Sequence, residues 1–129
     1  MGNALELHDS RISNIELDHG LVTIHFSHAY IHKSKGKPGR DSGTGWSQEA
    51  DLILYGVTLL KPFPELLGTI SEAYLEVGGI KHELVPLPFK RKVVARFWAR
   101  FENGFEVEIM GNTPIIELHG IALYLEDYN

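Results

Sequence analysis

With 129 residues, 43% of them apolar, the chain is long enough to bury one hydrophobic core and too short for two. A formal charge of −5 argues against a general binder of nucleic-acid phosphates, and the lack of cysteine excludes disulfides, thiolate metal sites and a cysteine nucleophile. No apolar run is long enough for a membrane helix, and the opening MGNALELHDSRI carries neither the basic nor the apolar stretch of an export signal, so a cytoplasmic protein is expected.

Apolar residues recur almost throughout with period two, which predicts an all-β chain. The first clear hairpin is NIELDHGLVTIHFSHAY, turning at His19-Gly20. It sets Leu17 against Val22, Ile15 against Ile24 and Ser13 against Phe26 on one face, with Glu16–Thr23 and Asn14–His25 on the other. Residues 33–45 then form a loop rich in Gly, Ser and basic side chains, expected to be flexible. It lacks the G-x-x-x-x-G-K-[ST] arrangement and precedes no helix, so it is not a phosphate loop. ADLILYGVTLL follows as a strand apolar on both faces, and KPFPELLG as a connection.

AYLEVGGIKHEL turns at Gly78-Gly79, placing Val77 opposite Ile80, Leu75 opposite His82 and Ala73 opposite Leu84. In VPLPFKRK, Pro86 and Pro88 cannot donate to a ladder and belong on an edge. For RFWARFENGFEVEIM a two-residue turn would place Phe101 against Glu106. A three-residue loop with Gly104 in the left-handed conformation instead pairs Phe101 with Phe105, Ala99 with Val107 and Phe97 with Ile109. A turn over Gly111 to Pro114 would return a last strand, with Ile116 meeting Ile109, Leu118 meeting Val107 and a bulge or bend at Gly120. The expectation is a single domain over 1–129, an antiparallel β-sandwich or flattened barrel of about eight or nine strands.

Seven histidines invite a metal reading. On an extended strand, however, His25 and His28 face opposite ways, and His28 and His32 lie on the order of 13 Å apart at about 3.3 Å per residue. Zinc needs its ligands about 2 Å from one centre. No metal and no cofactor is therefore expected, with His25 facing solvent and His28 and His82 hydrogen-bonded at the core or its rim. Nor does a nucleophilic site emerge: G-x-S-x-G is absent, and the adjacent His8, Asp9 and Ser10 project in different directions.

LHDSRI (Leu7 to Ile12), AYIHKSKGKPG (Ala29 to Gly39) and DSGTGWSQEADL (Asp41 to Leu52) resemble segments of a small family of uncharacterised bacterial proteins of this length. The resemblance covers about the first fifty residues, implies a bacterial source and brings no chemistry with it. It marks His8, Asp9, Lys37, Pro38, Gly39, Trp46 and Gln48 as motif positions without an assigned role. A Leu-His-Asp start is also similar to that of small β-rich proteins associated with toxin immunity, though a tripeptide transfers no function. His8 and Asp9 read either as a side-chain lock on the first turn or as a binding pair.

The candidate partner-binding surface is the outer face of the third hairpin. Arg96, Trp98 and Arg100 lie on one strand, Glu106, Glu108 and Met110 on the next, and Ile115, Glu117 and His119 on the third. Trp and Arg opposite a core are the residue types enriched at binding hot spots. The leading expectation is a non-enzymatic protein-binding domain, immunity-like or self-associating as a homodimer through this face, unless Trp98 is covered by its own chain. The rivals are an enzyme using Glu108 and Glu117 as an acid–base pair, which Arg96 and Arg100 would oppose by keeping both ionised, and a small-ligand site lined by Trp46, Tyr55 and histidines.

Overall fold

The computed structural model describes residues 2–128, and they contain nine strands and no helix. These are β1 (Gly2–Asp18), β2 (Leu21–Ser34), β3 (Gly43–Leu59), β4 (Ile70–Val77), β5 (Ile80–His82), β6 (Leu84–Leu87), β7 (Phe89–Lys90), β8 (Val94–Phe101) and β9 (Glu106–Tyr128). All pair antiparallel in one sheet of order β5-β4-β8-β9-β3-β2-β1-β6, with β7 also against β9. Among the described residues no helix is long and apolar enough to cross a membrane.

The sheet curls without closing. Ile12 N donates to Gly68 O at 3.0 Å and Leu7 N to Glu83 O at 3.1 Å, which draws β1 towards β4 from the far end of the sheet order. Leu5, Leu7 and Ile12 of β1 can therefore share one buried cluster with Phe97 and Phe101 of β8 and Phe26 of β2. The expected strand number and flattened architecture are both observed.

Local turn chemistry sets the hairpins. His19 (φ 50°) and Gly20 (φ 77°) form the two-residue turn that brings Leu17 opposite Val22, Ile15 opposite Ile24, Glu16 opposite Thr23 and Asn14 opposite His25. A register shift then puts Ile12, not Ser13, against Phe26. Gly104 (φ 90°) completes the three-residue loop, Phe101 N donating to Phe105 O at 2.9 Å, and Ala99–Val107 and Phe97–Ile109 pair as read from the sequence. At Gly78-Gly79, Leu75 meets His82 as expected, but the ladder stops there. Leu84 leaves Ala73 and opens β6, which pairs with β1. Pro86 lies on that outermost strand, where its missing N–H costs no ladder bond.

The main departure is that no turn forms over Gly111–Pro114. β9 continues through it, with Thr113 in the left-handed region (φ 50°) and its N–H bonded to Val93 O at 3.0 Å. Ile115 and Ile116 find partners in Ile53 and Leu52 of β3 and in Lys90 and Phe89 of β7, so the chain gains more by running on than by folding back. The bend expected at Gly120 (φ 69°) is present as a slip between Glu49↔His119 and Ser47↔Leu123. Pairing of β2 with β3 extends to Ser34↔Gly43, so the connection read over 33–45 comprises residues 35–42. Asp41 ties it together, accepting from Lys37 N at 2.5 Å while its own N–H donates to Lys37 O at 2.9 Å.

Candidate functional sites

The Trp98 surface is assembled from β4, β8 and the first half of β9. Trp98 lies opposite Tyr74 on one side and Glu108 on the other, and its ring is half-buried against Tyr74, centroids 5.4 Å apart. Its indole donates to Glu106 Oε1 at 2.8 Å, and the Arg100 guanidinium lies 5.3 Å above the ring. Arg100 also pairs with Glu72 (3.2 Å) and Glu106 (3.6 Å), Lys61 with Glu106 (3.2 Å) and Arg96 with Glu108 (3.7 Å). The indole hydrogen bond, and after it that of Lys61, holds the Glu106 carboxyl below its ordinary range. Five of the seven expected partner-binding residues thus already have side-chain partners within the chain.

Glu117 and His119 do not join it. Because β9 runs straight on, Glu117 pairs with Asp51 and His119 with Glu49 of β3. Glu108 instead faces Trp98 and Arg96, so the supposed Glu108–Glu117 acid–base pair does not exist. The third arrangement read from the sequence does not form either. Trp46 packs edge-on to Tyr124 at 5.5 Å under the Lys33 ammonium, whereas Tyr55 is exposed opposite Asn112.

The far half of β9 is a surface that the sequence reading missed. From Glu117 to Tyr128 it has β3 on one side and no strand on the other among the described residues. Leu118, Ile121, Leu123, Tyr124 and Leu125 are all exposed here, Ile121 at 84% and Leu123 at 62%. The missed turn explains the oversight, since a return strand would have laid these residues beside the Trp98 hairpin.

The histidines separate into distinct settings. His25 lies on the outer face, opposite buried Ile24 and Phe26, and is half-buried there: its Nδ1 meets Asp51 Oδ1 at 2.7 Å, while His119 Nε2 meets the other oxygen at 2.9 Å. His28, expected at the core or its rim, is exposed and touches Ser27 Oγ at 3.2 Å. The buried histidine is His32, which donates from Nε2 to Glu6 Oε1 at 3.0 Å and stacks on Tyr128 with centroids 4.8 Å apart. Beside it the Tyr128 hydroxyl donates to the Tyr30 hydroxyl, which donates to Glu126 at 2.7 Å. Burial, and then these two contacts, raises the Tyr30 pKa, so the phenol stays protonated.

The motif positions acquire plain roles. Ser10, not His8 or Asp9, locks the first strand: its hydroxyl donates to Glu6 O at 2.5 Å and accepts from Tyr30 N at 2.9 Å across a bulge with Asp9 at φ 70°. That bulge turns His8 and Asp9 outward beside Glu6, their donor atoms all within 4.8 Å, a group with cation-ligand chemistry on an exposed surface. None of its three residues lies on β2, which carries His25, His28 and His32. Gln48 donates to Gly120 O at 3.3 Å, clasping the bend of β9, and Trp46 donates to Thr44 Oγ1 at 2.8 Å. Lys37 contributes its backbone to the connection at 35–42.

Models of known families, curated proteins and solved structures offer no match to this chain.

Proposed function

We propose that this protein is a self-associating, non-enzymatic β domain that works as a homodimer joined along the free edge of β9. One observation carries the reading: a strand edge without a neighbour among the described residues coincides with a run of five exposed apolar residues that includes Ile121, at 84% the most exposed large apolar residue described. Unpaired edges in soluble proteins are normally blunted by charged residues, proline, a bulge or a covering segment. The acids of this stretch and its slip at Gly120 flank a run from Ile121 to Leu125 that holds neither a charged residue nor a proline.

A second copy is the occupant that best suits the edge. Antiparallel pairing centred on Leu123 sets Ile121 against Leu125 of the other copy and Tyr124 against the small Ala122. The contacts are then self-complementary in shape, as a two-fold axis requires. The five exposed apolar side chains offer roughly 500 Å² per chain at about 200 Å² for a whole large side chain. A symmetric pair would bury on the order of 1,000 Å² of it, where specific interfaces begin.

The Trp98 face supports the same function less well, because its aromatic ring and charges already have partners in their own chain. Light scattering coupled to size exclusion tests the choice. At tens of micromolar the wild type should run at twice the 14.5 kDa chain mass, and Leu123→Glu as a folded monomer. A wild type at single mass removes the proposal. A dimer that survives Leu123→Glu but not Trp98→Ala moves it to the other face.

A further inference from the structure

His32 sits in a setting that dimerisation does not use. Its side chain is only 8% exposed, yet just one of its two ring nitrogens is engaged. Nε2 donates to Glu6, a carboxylate that can only accept when ionised, so Nε2 carries a proton, and in the neutral ring Nδ1 is then the acceptor. Among the described residues nothing hydrogen-bonds to Nδ1. Nor is that atom sealed in, since among the described residues the only fully enclosed side-chain nitrogen or oxygen lacking a partner is Arg96 Nε. Nδ1 therefore keeps some access to space, and His32 lines a cleft of about 340 Å³ together with Gly39, Arg40 and Asp41 of the 35–42 connection. Stacking on Tyr128, the ring planes within 8° of parallel, prevents the imidazole from turning away.

The charges along the cleft are unequally satisfied. Glu6 is taken by His32, and Asp41 by the backbone of its own loop. Lys33 contributes to the wall but extends its ammonium over Trp46, 4.3 Å from the ring centroid. Arg40 lines the cleft with no carboxylate partner among the described residues. What remains on offer is one guanidinium, suited to a carboxylate, and one buried acceptor, suited to a hydroxyl or ammonium group. A bare metal ion is a poor fit, because the one three-residue group of metal donors among the described residues is Glu6, His8 and Asp9, which excludes His32.

We propose that this cleft binds a small carboxylate bearing a hydroxyl or ammonium group on the adjacent carbon, the carboxylate on Arg40 and the donor on His32 Nδ1. Glu6 acts as a positioning residue by holding the tautomer. L-malate, L-aspartate and succinate make a matched set of probes, sharing a four-carbon diacid skeleton and differing in a hydroxyl, an ammonium or neither.

Calorimetric titration of the full chain should show malate or aspartate binding about ten-fold or more tighter than succinate, the scale of one hydrogen bond to a buried acceptor. Which of the two binds identifies the donor. Ring ¹⁵N resonances of His32 should shift with the tighter ligand, and Arg40→Gln should weaken it about ten-fold with an unchanged circular dichroism spectrum. His32→Gln should abolish the preference over succinate, and if that variant unfolds, the wild-type resonances decide. Equal affinity for all three acids, unshifted His32 resonances at about 10 mM ligand, or undiminished binding by Arg40→Gln would each overturn the assignment.

Discussion

The two halves of β9 are one continuous strand in opposite circumstances. From Glu106 to Ile116 it has neighbours on both sides for most of its length, β8 or β7 on one and β3 on the other, and Val107, Ile109 and Ile116 are buried. From Glu117 onward it keeps β3 alone, and equally apolar residues such as Ile121 and Leu123 stand in solvent. Hydrophobicity is similar in the two halves, whereas the number of neighbours is not. Apolar alternation therefore marks where a strand seeks a partner, and in the proposed dimer a second copy supplies the partner of the second half.

Ile109→Ala should break the comparison most severely. It empties a fully buried position between two strands and should cost about 2–5 kcal/mol in denaturant unfolding. Leu123→Glu should cost less than about 0.5 kcal/mol in the monomer, as for an exposed site. At the centre of the proposed interface the same change should weaken association about thirty-fold or more by sedimentation equilibrium, the scale of a hot-spot residue. If the two substitutions cost the monomer alike, the halves do not differ as described.

How much of this was legible follows from the reach of each signal. The registers around His19-Gly20 and Glu102–Gly104 depend on turn residues beside the paired strands, so the local pattern suffices. The Glu6–His32 pair needs more. Extending the first hairpin unbroken from Leu17↔Val22 would set Leu7 opposite His32, but the bulge around Asp9 slips the register so that Ala4 takes that place and Glu6 comes alongside. A left-handed Asp9 or Thr113 carries no glycine to announce it, and Gly-Asn-Thr-Pro reads locally as a turn although long-range pairing with β3 overrides it. Five of the seven candidate partner residues were grouped correctly because one hairpin holds them. Glu117 and His119 were misplaced by the turn that does not form.

Two smaller tests sharpen the contrast from the inner half. Trp98→Ala should leave the molecular mass at the dimer value and cost roughly 1–3 kcal/mol of stability, from lost packing on Tyr74 and an unpaired Glu106. The smallest effect is in acid. Because the folded-state pKa of Glu106 is lowered, its stabilisation is complete above the ordinary carboxylate range and is lost as pH falls through the lowered value. In a Trp46→Phe background, Trp98 emission should change below the usual carboxylate midpoint, and Glu106→Gln should remove that transition. A midpoint at or above the ordinary value would mean that the indole–carboxylate contact does not persist in solution.

Amide hydrogen exchange along β9 at two protein concentrations tests the central claim most directly. If a second copy covers the edge, outward-facing amides between Leu118 and Asp127 should be protected at high concentration and exchange faster on dilution below the dissociation constant, while amides from Val107 to Ile109 stay protected throughout. Protection in the far half that is absent at every concentration, or present and independent of concentration, would contradict the account.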